Sequence, residues 1–223
     1  MVLITNRHNV DAAMKDQKYV GYQPCGLTLE GHFGNNYLIC ELAHPEISIG
    51  CPTNPSEDVA AIDLTTAKFH VDKSADMSVC FLHSELLANE NVLETIQVCD
   101  MVAFPGYPKY YDRDGERPIM RMGTIASDPS SNYRDGQMSP ARRIAYEAFS
   151  SGGSSGSPVF ALAKGWKAGD GLTGGYFRDL ALIGVNAGHL IGTDEHLPAY
   201  HSGISYCYKS TCIFEAIQAA LGS

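Results

Sequence analysis

Apolar runs in this chain are short, and clusters of Gly, Pro, Asn and Asp break them at close intervals. Few windows keep a helical period long enough to bury one face of a helix. Runs of this length between turn residues read instead as strands. The candidates are Val2–Thr5, Gly26–Glu30, Tyr37–Leu42, Val59–Leu64, Val98–Phe104, Ile119–Ala126, Arg143–Ala148, Pro158–Ala163, Ala181–Ala187 and Gly203–Tyr208. Two helices are expected. One covers Ser84–Thr95, interrupted by Asn89 and Asn91; the other covers Thr211–Leu221, where Ile213, Ile217, Ala220 and Leu221 share a face. A series of short strands with few helices implies a mostly β barrel or sandwich.

The chain has 223 residues, enough for one large domain or two subdomains sharing a core, and the stretch near Leu86–Val92 is the natural break. It divides an N-terminal half, 1–90, from a C-terminal half, 91–223. Hydrophobic residues at 44% against charged residues at 18% exclude disorder as the main state. A net charge of −9 with no basic stripe argues against a nucleic-acid partner. No apolar run is long enough to span a bilayer, so no membrane association is expected. The opening MVLITNRHNVDA lacks the features of a signal peptide. Seven cysteines form no dense framework, and Cys40, Cys99 and Cys207 fall in apolar runs where free Cys acts as a small hydrophobe. A reduced, cytoplasmic protein is the expectation.

Two chemistries are weakly signalled. His189, His196, His201, Cys207 and Cys212 lack the CxxC or HExxH spacing of a zinc site, so no metal is expected. Gly169–Gly175 lacks the Lys-Ser/Thr ending of a phosphate-binding loop and reads as a surface hairpin.

The segment Ser150–Phe160, SSGGSSGSPVF, is more informative. Its composition suits a flexible linker, but apolar runs flank it directly, IAYEAF before and PVFALA after, without the polar margin of a linker. A nucleophilic Ser needs a tight turn that exposes Oγ and points backbone N–H groups at a developing oxyanion. Glycines beside it permit the required backbone angles and a close carbonyl approach. Ser155 fits the centre of such a turn, with the N–H groups of Gly153 and Ser155 as the oxyanion hole.

The string Gly153-Ser154-Ser155-Gly156-Ser157-Pro158 resembles the chymotrypsin-like serine peptidases, most closely bacterial members with a Gly-x-Ser-Gly-Ser-Pro motif such as the glutamyl endopeptidases. The resemblance implies two six-stranded-type antiparallel β-barrels, a C-terminal helix and a triad in the order His, Asp, Ser. His8, where the strand VLIT runs into a polar turn, answers for the general base. Asp58, just before an apolar strand, answers for its orienter. Asp63 is the competing acid, five residues further along the same strand. Weaker likeness extends over CDMVAFPGYP (99–108), RMGTIAS (121–127), ALIGVNAGH (181–189) and the C-terminal strand and helix. The implied activity is endopeptidase cleavage of a peptide or protein substrate through an acyl-enzyme, without a cofactor. A binding module that keeps the scaffold but lacks turnover is the alternative.

Substrates of such peptidases add a strand beside the groove. Asn186, Ala187 and Gly188 match the receiving edge, and Phe149, Ser150 and Ser151 match the pocket floor. Phe149 stands where trypsin-like members carry an Asp, which argues against preference for Lys or Arg. Asn186 stands where glutamyl endopeptidases have a His, which puts a Glu preference in doubt. His189 and His201 either reach a substrate side chain or line the wall.

The chain departs from the pattern at its start, where only seven residues precede His8. The first barrel is therefore expected to be incomplete, with a preceding segment or a partner chain covering its open edge.

Overall fold

The computed structural model describes residues 1–14, 16–33, 36–43, 46–71, 81–108, 110–112, 114, 117–166, 176–194 and 197–222. His196 and the Gly-rich run 169–175 lie outside the described residues. The chain is mostly β, as its short apolar runs imply.

The first half contributes β1 (Val2–Thr5), β2 (Gly26–Phe33), β3 (Asn36–Ala43), β4 (Ile49–Gly50), β5 (Ala60–Asp63) and β6 (Lys68–Val71). These pair antiparallel in two three-stranded sheets, β1–β5–β4 and β2–β3–β6. A shared apolar cluster joins the two sheets. Cys40 and Leu42 from β3 meet Ile62 and Leu64, with Leu27, Leu29 and Ile49 around them.

The second half begins with α1 (Glu90–Glu94) and continues with β7 (Met101–Gly106), β8 (Ile119–Ile125), β9 (Arg143–Glu147) and β10 (Pro158–Ala161). A small hairpin of β11 (Lys164–Gly165) and β12 (Phe177–Arg178) precedes β13 (Ala181–Asp194), β14 (Leu197–Lys209) and the C-terminal helix α2 (Ser210–Leu221). Here the strands close into a six-stranded antiparallel barrel in the order β7–β8–β9–β14–β13–β10, with β10 returning to β7. Val102, Phe104, Ile144, Tyr146, Val159, Ile183 and Cys207 fill it, and Phe104 meets Tyr146 edge to face at 5.5 Å.

A third cluster binds the halves together. Val59 and Ala61 from the first half pack with Val185 and Tyr208 from the barrel and with Cys212, Ile213 and Ala216 from α2. Strand β5 is buried on both faces, Ala61 toward α2 and Ile62 toward the sheets. At Gly50 the backbone of β4 lies so close to Ala216 and Ala220 of α2 that no Cβ fits.

Several boundaries differ from the sequence reading for local reasons. The expected helix over Ser84–Thr95 splits into a 3-10 turn, Ser84–Leu86, and α1, because Asn89 caps α1 by accepting from Val92 N at 3.0 Å. Strand β7 starts at Met101 instead of Val98, because Cys99 takes a left-handed conformation with φ 72°. That residue is exposed, contrary to the expected apolar role, whereas Cys40 and Cys207 are buried. Strands β13 and β14 extend beyond the barrel as a ribbon that their polar residues had hidden. No helix among the described residues is long and apolar enough to cross a membrane.

Candidate active site

Strand β1 carries the chain to Thr5, which pairs with Ala60 of β5. One extended residue, Asn6, leads into a 3-10 turn, Arg7–Asn9, that holds His8. Asp58 lies just before β5, so this pairing brings together two residues 50 apart in sequence. Asp58 Oδ1 accepts from the His8 backbone N at 2.8 Å, and Oδ2 faces His8 Nδ1 at 2.6 Å. Asn6, fully buried, donates from Nδ2 to the Asp58 carbonyl at 2.7 Å. A proton on Nδ1, donated to the carboxylate, leaves Nε2 as the acceptor nitrogen of the ring.

Asp63 is not part of this pair. Its carboxylate accepts from the Thr65 hydroxyl and, at 2.9 Å, from Thr65 N. Those bonds hold its pKa below the usual carboxylate range.

The segment before β10 is an ordered turn. Ser154 N donates to Ser151 O at 3.0 Å and Ser157 N to Ser154 O at 3.1 Å. Gly153 (φ +91°) and Gly156 (φ +85°) hold left-handed angles that favour glycine. A Cβ on Gly153 would also collide with the Tyr107 carbonyl, because Tyr107 N bonds Gly153 O at 2.9 Å. Between these glycines Ser154 is fully buried and Ser155 is exposed. The N–H groups of Gly153 and Ser155 have no partner among the described residues.

The turn reaches the His8 segment through Gly156, whose Cβ would sit 2.9 Å from Thr5 Oγ1 and 3.7 Å from both Asn6 N and Asn9 Nδ2. Ser155 therefore lies beside the His8 turn, across a sequence separation of more than half the chain. No hydrogen bond joins Ser155 to His8 among the described residues.

Asn186 corrects the sequence reading. It was expected on the substrate edge, but it is buried and fastens the turn from behind. Its backbone exchanges bonds with Gly156 N (3.1 Å) and Ser157 O (2.8 Å). Its Nδ2 donates to Ser154 O at 2.8 Å while Oδ1 accepts from the Tyr146 hydroxyl at 2.6 Å. Ala187 and Gly188 lie beyond Val185, where pairing with β10 ends, and Ala187 is bulged out of the β14 register. Gly188 leaves room for Tyr206, whose hydroxyl a Cβ would meet at 3.0 Å.

The residues expected at the pocket floor divide by burial. Phe149 is 68% exposed and rests on the His201 ring at 4.9 Å. His201 stacks on His189 at 4.1 Å. Ser150 points inward and accepts from Ser205 Oγ at 2.9 Å, while Ser151 is half-buried. Burial and the neighbouring His189 hold the pKa of His201 below its ordinary value. Its Nε2 faces Ser150 N at 3.2 Å and its Nδ1 faces Gly203 N at 2.9 Å. A neutral imidazole accepts one of these bonds and an imidazolium neither, so the surroundings select the uncharged ring. Among the described residues, no cluster of three or more His, Cys, Asp or Glu side chains forms a cation site.

Two contributors were invisible in the sequence. Asn6 and Tyr146 act from fully buried positions, and nothing in their neighbouring residues marks them as buried polar partners.

No protein-family model matches the chain, and no curated protein matches it. Among solved structures it is similar to the protease Anisep from Arthrobacter nicotinovorans. The TM-score is 0.46 and the identity 16%, over 100% of this chain and 84% of that one.

Proposed function

We propose that this chain is a serine endopeptidase of the chymotrypsin-like class, with residues 1–90 and 91–223 forming one catalytic unit. The observation that carries this reading is the His8–Asp58 pair, bonded at two points and set beside the exposed Ser155 turn. In the proposed reaction Ser155 Oγ attacks the scissile carbonyl as His8 Nε2 takes its proton. The carbonyl oxygen becomes an oxyanion against the N–H groups of Gly153 and Ser155. Collapse expels the amine, which receives the proton from His8 and leaves an acyl-enzyme. Water then attacks, its proton passing to His8 and on to the departing Ser155. Asp58 holds the imidazole in one tautomer and stabilises the imidazolium between the two transfers. The substrate is a peptide segment paired along Ala187–Gly188, with a side chain directed toward Phe149 and Ser151.

Labelling with a fluorophosphonate probe tests the proposal. Wild-type protein reacts at Ser155, whereas Ser155→Ala and His8→Ala do not. Labelling that persists in Ser155→Ala would reject the assignment. The second reading, a peptide-binding module, draws on the missing Ser155–His8 bond; a folded wild type that binds peptides but never labels would select it.

A further inference from the structure

Beneath the Ser155 turn lies a guanidinium that the roles above leave unused. On β8, Met120 and Met122 are exposed while Arg121 between them is half-buried, its Cζ 4.8 Å from the centre of the Phe104 ring. Its Nη1 donates to Phe149 O at 3.2 Å and reaches Ser151 Oγ at 3.4 Å, and its Nη2 donates to Ser154 Oγ. Among the described residues Nε is buried without a partner and no carboxylate forms an ion pair with Arg121. Gly106 on the adjoining strand makes room, since a Cβ there would press on Arg121 Nη2 and lie 3.3 and 3.4 Å from the Ser154 and Ser157 hydroxyls.

Among the described residues every acceptor of this cation is a neutral oxygen from the six residues that lead into Ser155. A partly buried cation without a carboxylate is costly to keep, and a structural tie between neutral groups needs no charge. The planar fork has another property: its donors can bond several oxygens of one bend in a fixed geometry. We infer that Arg121 is the positioning residue of the catalytic turn. It gathers Phe149, Ser151 and Ser154 into one bend, so that the amides of Gly153 and Ser155 are set before substrate arrives. Asn186 secures the carbonyl of Ser154 and Arg121 its hydroxyl, leaving Ser154 little freedom on either side.

The catalytic consequence rests on the serine peptidase reading, but the positioning itself can be measured without turnover. Amide hydrogen exchange in Arg121→Gln is expected to speed up at least about tenfold at Ser154, Gly156 and Ser157, while Ile144 and Val159 in the barrel keep their protection. In the same variant kcat falls about a hundredfold with KM within about threefold of wild type, the signature of a loss felt in the transition state. Arg121→Lys, which keeps the charge but not the fork, falls between the two. Unchanged exchange at the turn, or exchange that rises equally throughout the barrel, would overturn the inference. So would a folded Arg121→Gln with wild-type kcat. If Arg121→Gln does not fold, Ser154→Ala removes the acceptor that Arg121 Nη2 shares with Ser151 N, and unchanged exchange at Gly156 and Ser157 there would be equally decisive. Selective loosening of the turn in a protein that never labels with fluorophosphonate would instead uphold the positioning role and reject the peptidase reading.

Discussion

The turn that carries Ser155 runs directly into β10 of a closed barrel and is bonded on its other side to Asn186 of β13. His8, by contrast, sits on one 3-10 turn after a four-residue strand whose partner is β5. The Ser155 turn is thus held by barrel closure, and His8 by the Asp58 carboxylate, with the Asp58 carbonyl in turn accepting from Asn6. Between them lies a junction of α2, β5 and a charged clamp. Glu57, adjacent to Asp58 and buried, accepts from Arg142 N at 3.0 Å and from Arg142 Nε at 2.8 Å, and Arg142 Nη2 also pairs with Glu215 of α2. The difference teaches that the two halves of this site can be disturbed separately.

The largest effect is expected on the less supported side. Asp58→Asn keeps the side-chain shape but no longer stabilises an imidazolium at His8, and kcat should fall on the order of 10⁴-fold. Melting of the barrel should hardly change, because among the described residues no barrel residue bonds the Asp58 carboxylate. Peptide turnover and thermal unfolding of the same sample check both halves of the statement. A loss under about tenfold would remove Asp58 from the role of orienter.

Next in size is the clamp. Arg142→Met leaves the Glu57 carboxylate buried without its guanidinium, a loss of about 3 kcal/mol in urea unfolding. The comparison sharpens if hydrogen exchange is followed by residue. Ile62 of β5 should lose protection before Tyr146 of β9, since the clamp joins the first half to a barrel that closes without it. Equal loss at both positions would mean that the halves unfold as one.

How much of this was legible follows the same division. Strand β1 was read at its observed bounds, since VLIT is a compact apolar run stopped by a polar turn. The Ser155 turn was legible because glycine at a left-handed angle leaves a mark in composition. The bond between His8 and Asp58 follows the order that the family resemblance demanded. Asn186 was misassigned, because an Asn on an apolar strand reads alike whether it faces a groove or a buried tyrosine. Arg121 carries no mark in RMGTIAS, where an arginine between methionines looks like the exposed face of a strand. The two sheets of the first half were also hidden, since strand pairing depends on contacts distant in sequence.

A smaller effect is expected from the barrel's own tie to the turn. Asn186→Leu strands the Tyr146 hydroxyl, which is fully buried, and releases Ser154 O, for a loss of about 2 kcal/mol. Asn186→Asp keeps an acceptor for Tyr146 but cannot donate to Ser154 O. If Asn186→Asp is as slow in turnover as Asn186→Leu, the bond to the turn carries the effect; if it is nearly as fast as wild type, the tyrosine bond does.

The smallest effect is acid sensitivity of the clamp. The Thr53 hydroxyl and N–H, followed by Arg142, hold the Glu215 pKa down to about 2. Glu57 is also lowered: burial pushes it up, but its bonds to Arg142 outweigh that push. A carboxylate whose folded pKa lies below its unfolded value of about 4.3 stabilises the fold fully above that value. The contribution is lost as pH falls toward the folded pKa, so the window for Glu215 lies between about pH 4.5 and about 2. Because Glu215 lies at the surface, solvent screening should keep its share under about 1 kcal/mol. Urea unfolding at pH 6 and at pH 3 should therefore show a smaller acid-induced loss in Glu215→Gln than in wild type, by about 1 kcal/mol at most. Glu57→Gln should also flatten the acid dependence while lowering stability at pH 6, because it removes the buried partner of Arg142. Parallel slopes in all three proteins would show that the halves do not depend on this clamp for their alignment, and would return the junction to the apolar contacts of α2 with β5.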